Sequence, residues 1–362
     1  MIQISKPAIG EEEIRAAVEV LKSGNLAQGE KVKEFEERFA EFIGVEHAVA
    51  VSSGTAALHI ALLAHGIGTG DEVITTPFSF IATANSILLT GAKPVFADIN
   101  EDDFNINPDA VLEKITHRTK AIVPVHLYGH PADMRALAEI AEDHDLIIVE
   151  DACQAHGAEF HGKKVGSFGT GCFSFYATKN MTTGEGGMIT TNDKTVAEHA
   201  RMLRSHGSRQ RYFHESLGFN MRMTDVNAAI GIVQLAKLPA LTRKRQENAE
   251  YLTKCIKDLG VVTPSIKKGC THVFHQYTIR VVDADIGRDD VVKKLRERGV
   301  GAEIYYPVPI HKQPFYQELG YDETLPVAER VAKEVISLPI HPAVSKDELD
   351  HIATTLKEVL RG

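Results

Sequence analysis

Lys179 lies in Ser174-Phe175-Tyr176-Ala177-Thr178-Lys179-Asn180-Met181-Thr182-Thr183-Gly184-Glu185-Gly186-Gly187, where a glycine-rich turn follows the apolar run Cys172 to Ala177. A free lysine amine has a pKa of roughly 10.4 and is a poor nucleophile at neutral pH. Bonded as an imine to an aldehyde cofactor, it becomes a stored electrophile and later a proton shuttle. Upstream, Leu146-Ile147-Ile148-Val149 ends in Glu150-Asp151. An acid at the C-terminal end of a parallel strand points at the crevice where α/β proteins bind ligands. Beside a pyridine nitrogen, such a carboxylate favours the protonated ring, and protonation makes the ring an electron sink. Gln154, three residues on, can reach the same ring's phenolic oxygen. Further upstream, Ala48–Val51 runs into Ser53-Gly54-Thr55, which opens a helical pattern. Backbone N–H groups at a helix N-terminus, with two hydroxyls, form an anion site, and glycine permits close approach. Each piece has a plainer account: an N-cap for Ser53, a helix cap or surface acid for Asp151, loop residues for Gln154 and Lys179. The weight rests on co-occurrence and order: phosphate cradle, strand-end acid, lysine in a glycine-flanked loop. That set is what pyridoxal phosphate chemistry requires.

The elements that must hold these residues follow from periodicity. Short apolar runs occur at His47–Val51, Glu72–Thr75, Pro94–Ala97, Ala121–Val125 and Leu146–Val149. Helical patterns separate them, at Thr55–Ala64, Ile81–Leu89, Asp109–Ile115 and Met134–Asp143. This alternation predicts βαβ units and a mostly parallel sheet covered on both faces. Two helices precede it, Glu11–Lys22 and Lys31–Ile43, stopped at Ser23-Gly24 and Gly44. After Gly187 the pattern gives helices at Lys194–Leu203, Thr224–Leu238 and Leu241–Leu259, with a domain boundary near Leu238-Pro239. The remainder reads as a smaller α/β unit. Its strands are Gln276–Val282 and Ala302–Tyr306; its helices are Asp289–Arg298, Val327–Ser337 and Lys346–Leu360. The last carries a capping box, Ser345 to Glu348.

Composition bounds the function. At 362 residues, 43% apolar and 25% charged, the chain suits two globular domains at about 150 residues each. The formal charge of -9 supplies no basic footprint for nucleic acid or an anionic membrane. No apolar stretch reaches the roughly 20 residues of a membrane span. The N-terminus lacks a signal-peptide hydrophobic region. Four cysteines without CxxC spacing read as reduced thiols, and the expected location is cytoplasmic. Among 17 histidines there is no HExxH, and His156 with His161 is too loose a pair, so no metal is expected. A nicotinamide enzyme would need GxGxxG after the first strand, where Ser52-Ser53-Gly54-Thr55 stands.

From Pro7 to about Pro314 the sequence resembles the DegT/StrS group of sugar aminotransferases, fold-type I pyridoxal phosphate enzymes. The matching segments are SSGTAALH, GDEVITTPFSFIATANSILLTGAKPVFADI, VPVHLYGHPADM, IIVEDACQAHGAEFHGKKVGSFG, FSFYATKNMTTGEGGMI, GFNMRMTD and YYPVPIHKQP. The resemblance implies an α/β fold: a large domain, 1–238, with a mostly parallel seven-stranded sheet flanked by helices, and a smaller C-terminal α/β domain, 239–362. It implies that Lys179 bonds the cofactor, Asp151 pairs with the ring nitrogen and Gln154 with the ring oxygen. Phe80 would stack on the ring, and Gly54, Thr55 and Ser174 would hold the phosphate. Asn220 is similar to an asparagine that reaches the phosphate of the partner subunit, which implies a homodimer with shared sites. Tyr305, Tyr306 and His311 resemble a sugar-contacting stretch; a core-packed aromatic pair before a Pro-rich turn also fits them. Some relatives carry histidine in place of the lysine and dehydrate sugars; Lys179 favours transamination. Cys153 stands where many members have alanine.

Arg201, Arg204, His206, Arg209 and Arg211 concentrate positive charge in an acidic chain. A diphosphate on a sugar nucleotide would be attracted there, Arg209 and Arg211 foremost; a solvated helix end and loop fits equally. The expected activity is transfer of an amino group from glutamate, leaving 2-oxoglutarate, to a nucleotide-linked keto-6-deoxy sugar at C4 or C3. A cofactor-dependent sugar dehydratase and a non-catalytic regulatory protein are the alternatives.

Overall fold

The computed structural model describes residues 1–282 and 286–361. Seven strands form its large sheet: β1 (His47–Val51), β2 (Glu72–Thr75), β3 (Lys93–Phe96), β4 (Thr119–Val123), β5 (Ile147–Asp151), β6 (Thr170–Ser174) and β7 (Gly187–Thr191), in the order β1-β7-β6-β5-β4-β2-β3. The pairs from β3 to β6 are parallel, while β7 runs antiparallel to both β6 and β1. The expected mostly parallel sheet is present. Burial on both faces explains why its strands read as unbroken apolar runs.

Helices α1 (Glu11–Ser23) and α2 (Glu30–Ile43) precede the sheet, and α3 (Gly54–Ala64), α4 (Ala82–Leu89), α5 (Pro108–Lys114), α6 (Met134–Asp143) and α7 (Lys194–Leu203) run between or after its strands. Gly24 and Gly44 end the first two in left-handed conformation, at φ 76° and 86°, where a side chain would be strained. α3 is apolar on nearly every side and almost wholly buried. Such a helix belongs in a core, not on a surface.

Helix α8 (Asp225–Ile256) is continuous over 32 residues, where the sequence suggested two helices parted at Pro239. Proline removes one backbone hydrogen bond and crowds the preceding turn, at about 3 kcal/mol. Pro239 faces solvent, while Leu235, Leu238, Leu252 and Ile256 are buried along the helix. That packing outweighs the local cost. The helix contacts α1, α2 and the C-terminal helix Lys346–Arg361. The anticipated boundary at 238/239 therefore falls inside one helix.

In the C-terminal part, β8 (Val261–Val262), β9 (Tyr277–Val281) and β10 (Val335–Leu338) form a small antiparallel sheet with α9 (Arg288–Glu297) and the C-terminal helix nearby. Leu252, Tyr277, Ile279, Leu295, Ile336 and Leu356 fill its core. Two expectations change here. The strand Ala302–Tyr306 reduces to a single bridge, Glu303 with Ser337. The helix Val327–Ser337 is a short helix, Pro326–Val331, followed by β10. Val335-Ile336-Ser337-Leu338 is fully buried and rich in β-branched residues, which suits a strand. The capping box of the C-terminal helix is formed: Ser345 N–H donates to Glu348 Oε2 at 2.8 Å, and Glu348 N–H to Ser345 Oγ at 3.2 Å. Among the described residues no helix is long and apolar enough to cross a membrane.

Candidate active site

A pocket of about 750 Å³ opens where β5 and β6 end and α3 begins. Its lining includes Gly54, Thr55, Phe80, Asp151, Gln154, Ser174 and Lys179, with Tyr305 and Tyr306 closing one side. Residues separated by more than a hundred positions thus share one cavity. Strand ends and the first turn of a helix supply Gly54, Thr55, Asp151 and Ser174, and these are rigid places for chemical groups.

The cradle is built at the turn from β1 into α3. Ser53 caps the helix, its side chain accepting from Ala56 N–H at 3.1 Å. The N–H groups of Gly54 and Thr55 open the helix and have no partner within it. A side-chain carbon on Gly54 would lie 2.6 Å from Ser174 Cβ and 2.9 Å from Cys153 Sγ. Only glycine fits this close approach, so the turn, Ser174 and Cys153 form one compact wall.

Asp151 is 5% exposed and doubly oriented. Its Oδ2 accepts from Thr83 Oγ1 at 2.7 Å and its Oδ1 from Cys153 N–H at 3.1 Å. Gln154 is fixed at both ends: Oε1 accepts from Tyr128 N–H at 2.9 Å, and Nε2 donates to Tyr306 Oη at 3.1 Å. Tyr128 Oη in turn donates to the carbonyl of Tyr305. Lys179 follows β6 in a turn closed by its own N–H to Tyr176 O at 3.0 Å. Burial lowers the basicity of its amine, against the opposing pull of Cys153 and Asp151. A less basic amine is closer to the neutral form that attacks carbonyls. Burial also pushes the Tyr306 hydroxyl up, so it stays a hydrogen-bonding phenol. Phe80 stands 57% exposed at the mouth, its ring 6.3 Å from that of Tyr306.

Four of the sequence candidates lie elsewhere in this chain. His311 is fully buried, its Nε2 3.1 Å from Glu329 Oε1 and its ring 6.2 Å from Phe96. It packs the core and does not line the pocket. Arg209 and Arg211 sit on an exposed hairpin formed by Ser208–Gln210 and Phe213–His214. Arg209 lies 3.7 Å from Glu215, and the Arg211 guanidinium 4.9 Å from the Tyr212 ring. Asn220 is exposed outside the pocket, accepting from Arg222 Nε at 3.1 Å. Within the same basic stretch, Arg204 is a folding residue, buried against Glu36 at 2.5 Å and the Ala50 carbonyl at 2.6 Å. Conversely, Thr83, Tyr176, His275 and Gln276 line the pocket and were missed. Thr83 lies three residues past Phe80 in a segment already singled out. His275 and Gln276 precede a strand and carry no local signal.

A model of the DegT/DnrJ/EryC1/StrS aminotransferase family matches residues 7–357. The chain belongs to this family. Among its relatives, a pleiotropic regulatory protein of Geobacillus stearothermophilus is 45% identical, over 96% of this chain and 94% of that one. The spore coat polysaccharide biosynthesis protein SpsC of Bacillus subtilis is 41% identical, over 99% and 97%. Among solved structures, DesV of S. venezuelae superposes with a TM-score of 0.93 at 39% identity, covering 97% of this chain and 95% of DesV. The α/β architecture is that of fold-type I aminotransferases, and the family works with pyridoxal phosphate. The site fits that cofactor. The tight glycine turn with free N–H groups suits a phosphate, and an amine of lowered basicity shares a cavity with an oriented carboxylate.

Proposed function

We propose that this protein is a pyridoxal phosphate-dependent aminotransferase acting on a nucleotide-linked keto-6-deoxy sugar, with glutamate as amino donor, in amino-sugar and cell-surface polysaccharide biosynthesis. The observation that carries the reading is the shared cavity of the Lys179 amine and the Asp151 carboxylate. In this reading Lys179 bonds the cofactor aldehyde. Gly54, Thr55 and Ser174 hold the phosphate, Gln154 the ring oxygen and Phe80 a ring face. Bound there, pyridoxal phosphate supplies an electron sink. Asp151 keeps the ring nitrogen protonated while charge develops. Lys179 Nζ would move the proton between the substrate carbon and the cofactor carbon that carried the aldehyde. Tyr305 and Tyr306 orient the sugar and exclude water. Lysine at position 179 favours amination over dehydration.

The test has two parts. Borohydride treatment followed by peptide mapping is expected to fix the cofactor on Lys179. Incubation with glutamate and a panel of keto-sugar nucleotides, read by mass spectrometry, is expected to give an amino sugar and 2-oxoglutarate. Label on another lysine would overturn the site. The regulatory name of the Geobacillus stearothermophilus relative supports a second reading, a protein that binds the cofactor and senses without turnover. Cofactor trapped on Lys179 with no product from any keto sugar would favour it.

A further inference from the structure

The acid of this pocket does not stand alone. Ser79 and Thr83 are four residues apart, spanning the turn that leads into α4, and their hydroxyl oxygens lie 3.1 Å from each other. Thr83 Oγ1 lies 2.7 Å from Asp151 Oδ2. All three groups are buried, at 4%, 1% and 5% exposure, and all three line the pocket. An ionised carboxylate only accepts hydrogen bonds, so Thr83 gives its single hydroxyl proton to Asp151. Thr83 can then only accept in its contact with Ser79, and Ser79 donates. The two hydroxyls form a relay with one direction, each bond polarising the next toward the carboxylate. On its other oxygen Asp151 accepts the Cys153 N–H. The carboxylate is therefore clamped from two sides while still facing the cavity.

We propose that Thr83, backed by Ser79, is a positioning residue for the reaction: it fixes the orientation and charge of Asp151 toward the ring nitrogen of the cofactor. This rests on the reading of the pocket given above. The same turn carries Phe80, whose ring stands at the pocket mouth. One segment, Ser79 to Thr83, thereby sets the face-stacking ring and the acid together. Thr83 acts through Asp151 and touches no reacting atom. A hydrogen bond to a charged group carries enough free energy that its loss would slow a step dependent on that charge by about tenfold to a hundredfold.

The test uses the full chain loaded with cofactor labelled with ¹⁵N at the ring nitrogen. Thr83→Val keeps the shape and removes the donor; Thr83→Ser keeps the donor. With wild type, the nitrogen signal is expected at the protonated position. With Thr83→Val it is expected to move toward the unprotonated position, with kcat for the glutamate half-reaction down about tenfold or more and its KM unchanged. Thr83→Ser is expected to restore both. Ser79→Ala is expected to give a smaller shift in the same direction. A wild-type nitrogen signal and kcat in Thr83→Val would overturn the proposal and leave the functional reading intact. Equal loss in Thr83→Val and Thr83→Ser, with cofactor released, would overturn it in favour of a purely structural role. Failure of wild type to take up cofactor on Lys179 would overturn the functional reading itself, and this inference with it.

Discussion

Replacing Glu150 by glutamine removes the charge from a fully buried carboxylate that receives four donors. Oε1 accepts from Phe168 N–H at 2.8 Å and Gly169 N–H at 2.9 Å; Oε2 accepts from Gly166 N–H at 2.7 Å and His126 Nε2 at 3.1 Å. His126 Nδ1 accepts from Ala132 N–H at 3.0 Å, so its proton is on Nε2 and points at Glu150. Glutamine keeps one side-chain oxygen. One pair of donors survives, and the other pair faces an amide NH2. Leaving a buried donor unsatisfied costs about 1–3 kcal/mol, so two cost roughly 2–6 kcal/mol. The assay is urea unfolding followed by circular dichroism, wild type against variant, repeated as pH falls. Burial alone would raise the Glu150 carboxyl, but His126 and the backbone N–H groups overcome it and hold it below the usual range. A carboxyl lowered in the folded state stabilises fully above its unfolded value, near 4.3, and that stabilisation is lost as pH falls through the folded value. The gap between wild type and Glu150→Gln is therefore expected to be constant near neutrality and to shrink only in acid. A loss below about 1 kcal/mol, or a gap that widens on acidification, would refute the reasoning.

Two further outcomes follow from the exposed candidates. If Asn220 completes a neighbouring subunit's site, mixing Lys179→Ala chains with Asn220→Ala chains is expected to restore part of the activity, because one mixed site carries both lesions and the other neither; confirmed mixed dimers without recovery would tie each site to one chain. Neutralising Arg211 is expected to raise KM for the sugar nucleotide by about tenfold and leave the glutamate half-reaction unchanged, since a charge-assisted phosphate contact contributes roughly 1.5–3 kcal/mol; equal damage to both half-reactions would move the arginine to the cofactor or the subunit contact.

Much of this architecture could be read from pattern alone. His47–Val51, Glu72–Thr75, Met134–Asp143 and Lys194–Leu203 occur at the expected bounds, because the two helices have one clear period and the two strands are apolar runs set off by turn residues. Legibility failed where two signals competed. Pro239 argued for a break, but the buried leucines of α8 prevailed. Val335-Ile336-Ser337-Leu338 was absorbed into a helical pattern, since a short apolar run has no period of its own and only its partner strand defines it. The pocket divides in the same way. That Gly54, Asp151 and Lys179 share it was legible because each lies beside a local turn or strand signal. Thr83 was not, because its role exists only once α4 docks against the end of β5. His311 is implied only by the resemblance to a sugar-contacting stretch, and in this chain the fold turns it onto Glu329.

The adjacent acids at the end of β5 show how the fold assigns roles that composition leaves equal. Successive residues of a strand point to opposite faces of a sheet. Asp151 faces the cavity with Thr83 and Lys179; Glu150 faces the other way, toward His126 and the loop through Gly166 and Gly169. Glu150 is wholly satisfied and fully buried, so it can take part only in folding. Asp151 receives two donors and keeps accepting capacity toward the pocket. An ionised carboxylate accepts about four hydrogen bonds, so the unfilled half is what remains for a ligand. The two residues also depend on each other. Glu150 ties β5 to the loop that leads into β6, and β6 carries Ser174 and leads to Lys179. The spacing between the acid and the amine is thus held from behind by its neighbour, and a one-residue slip of β5 would turn Asp151 away from the pocket.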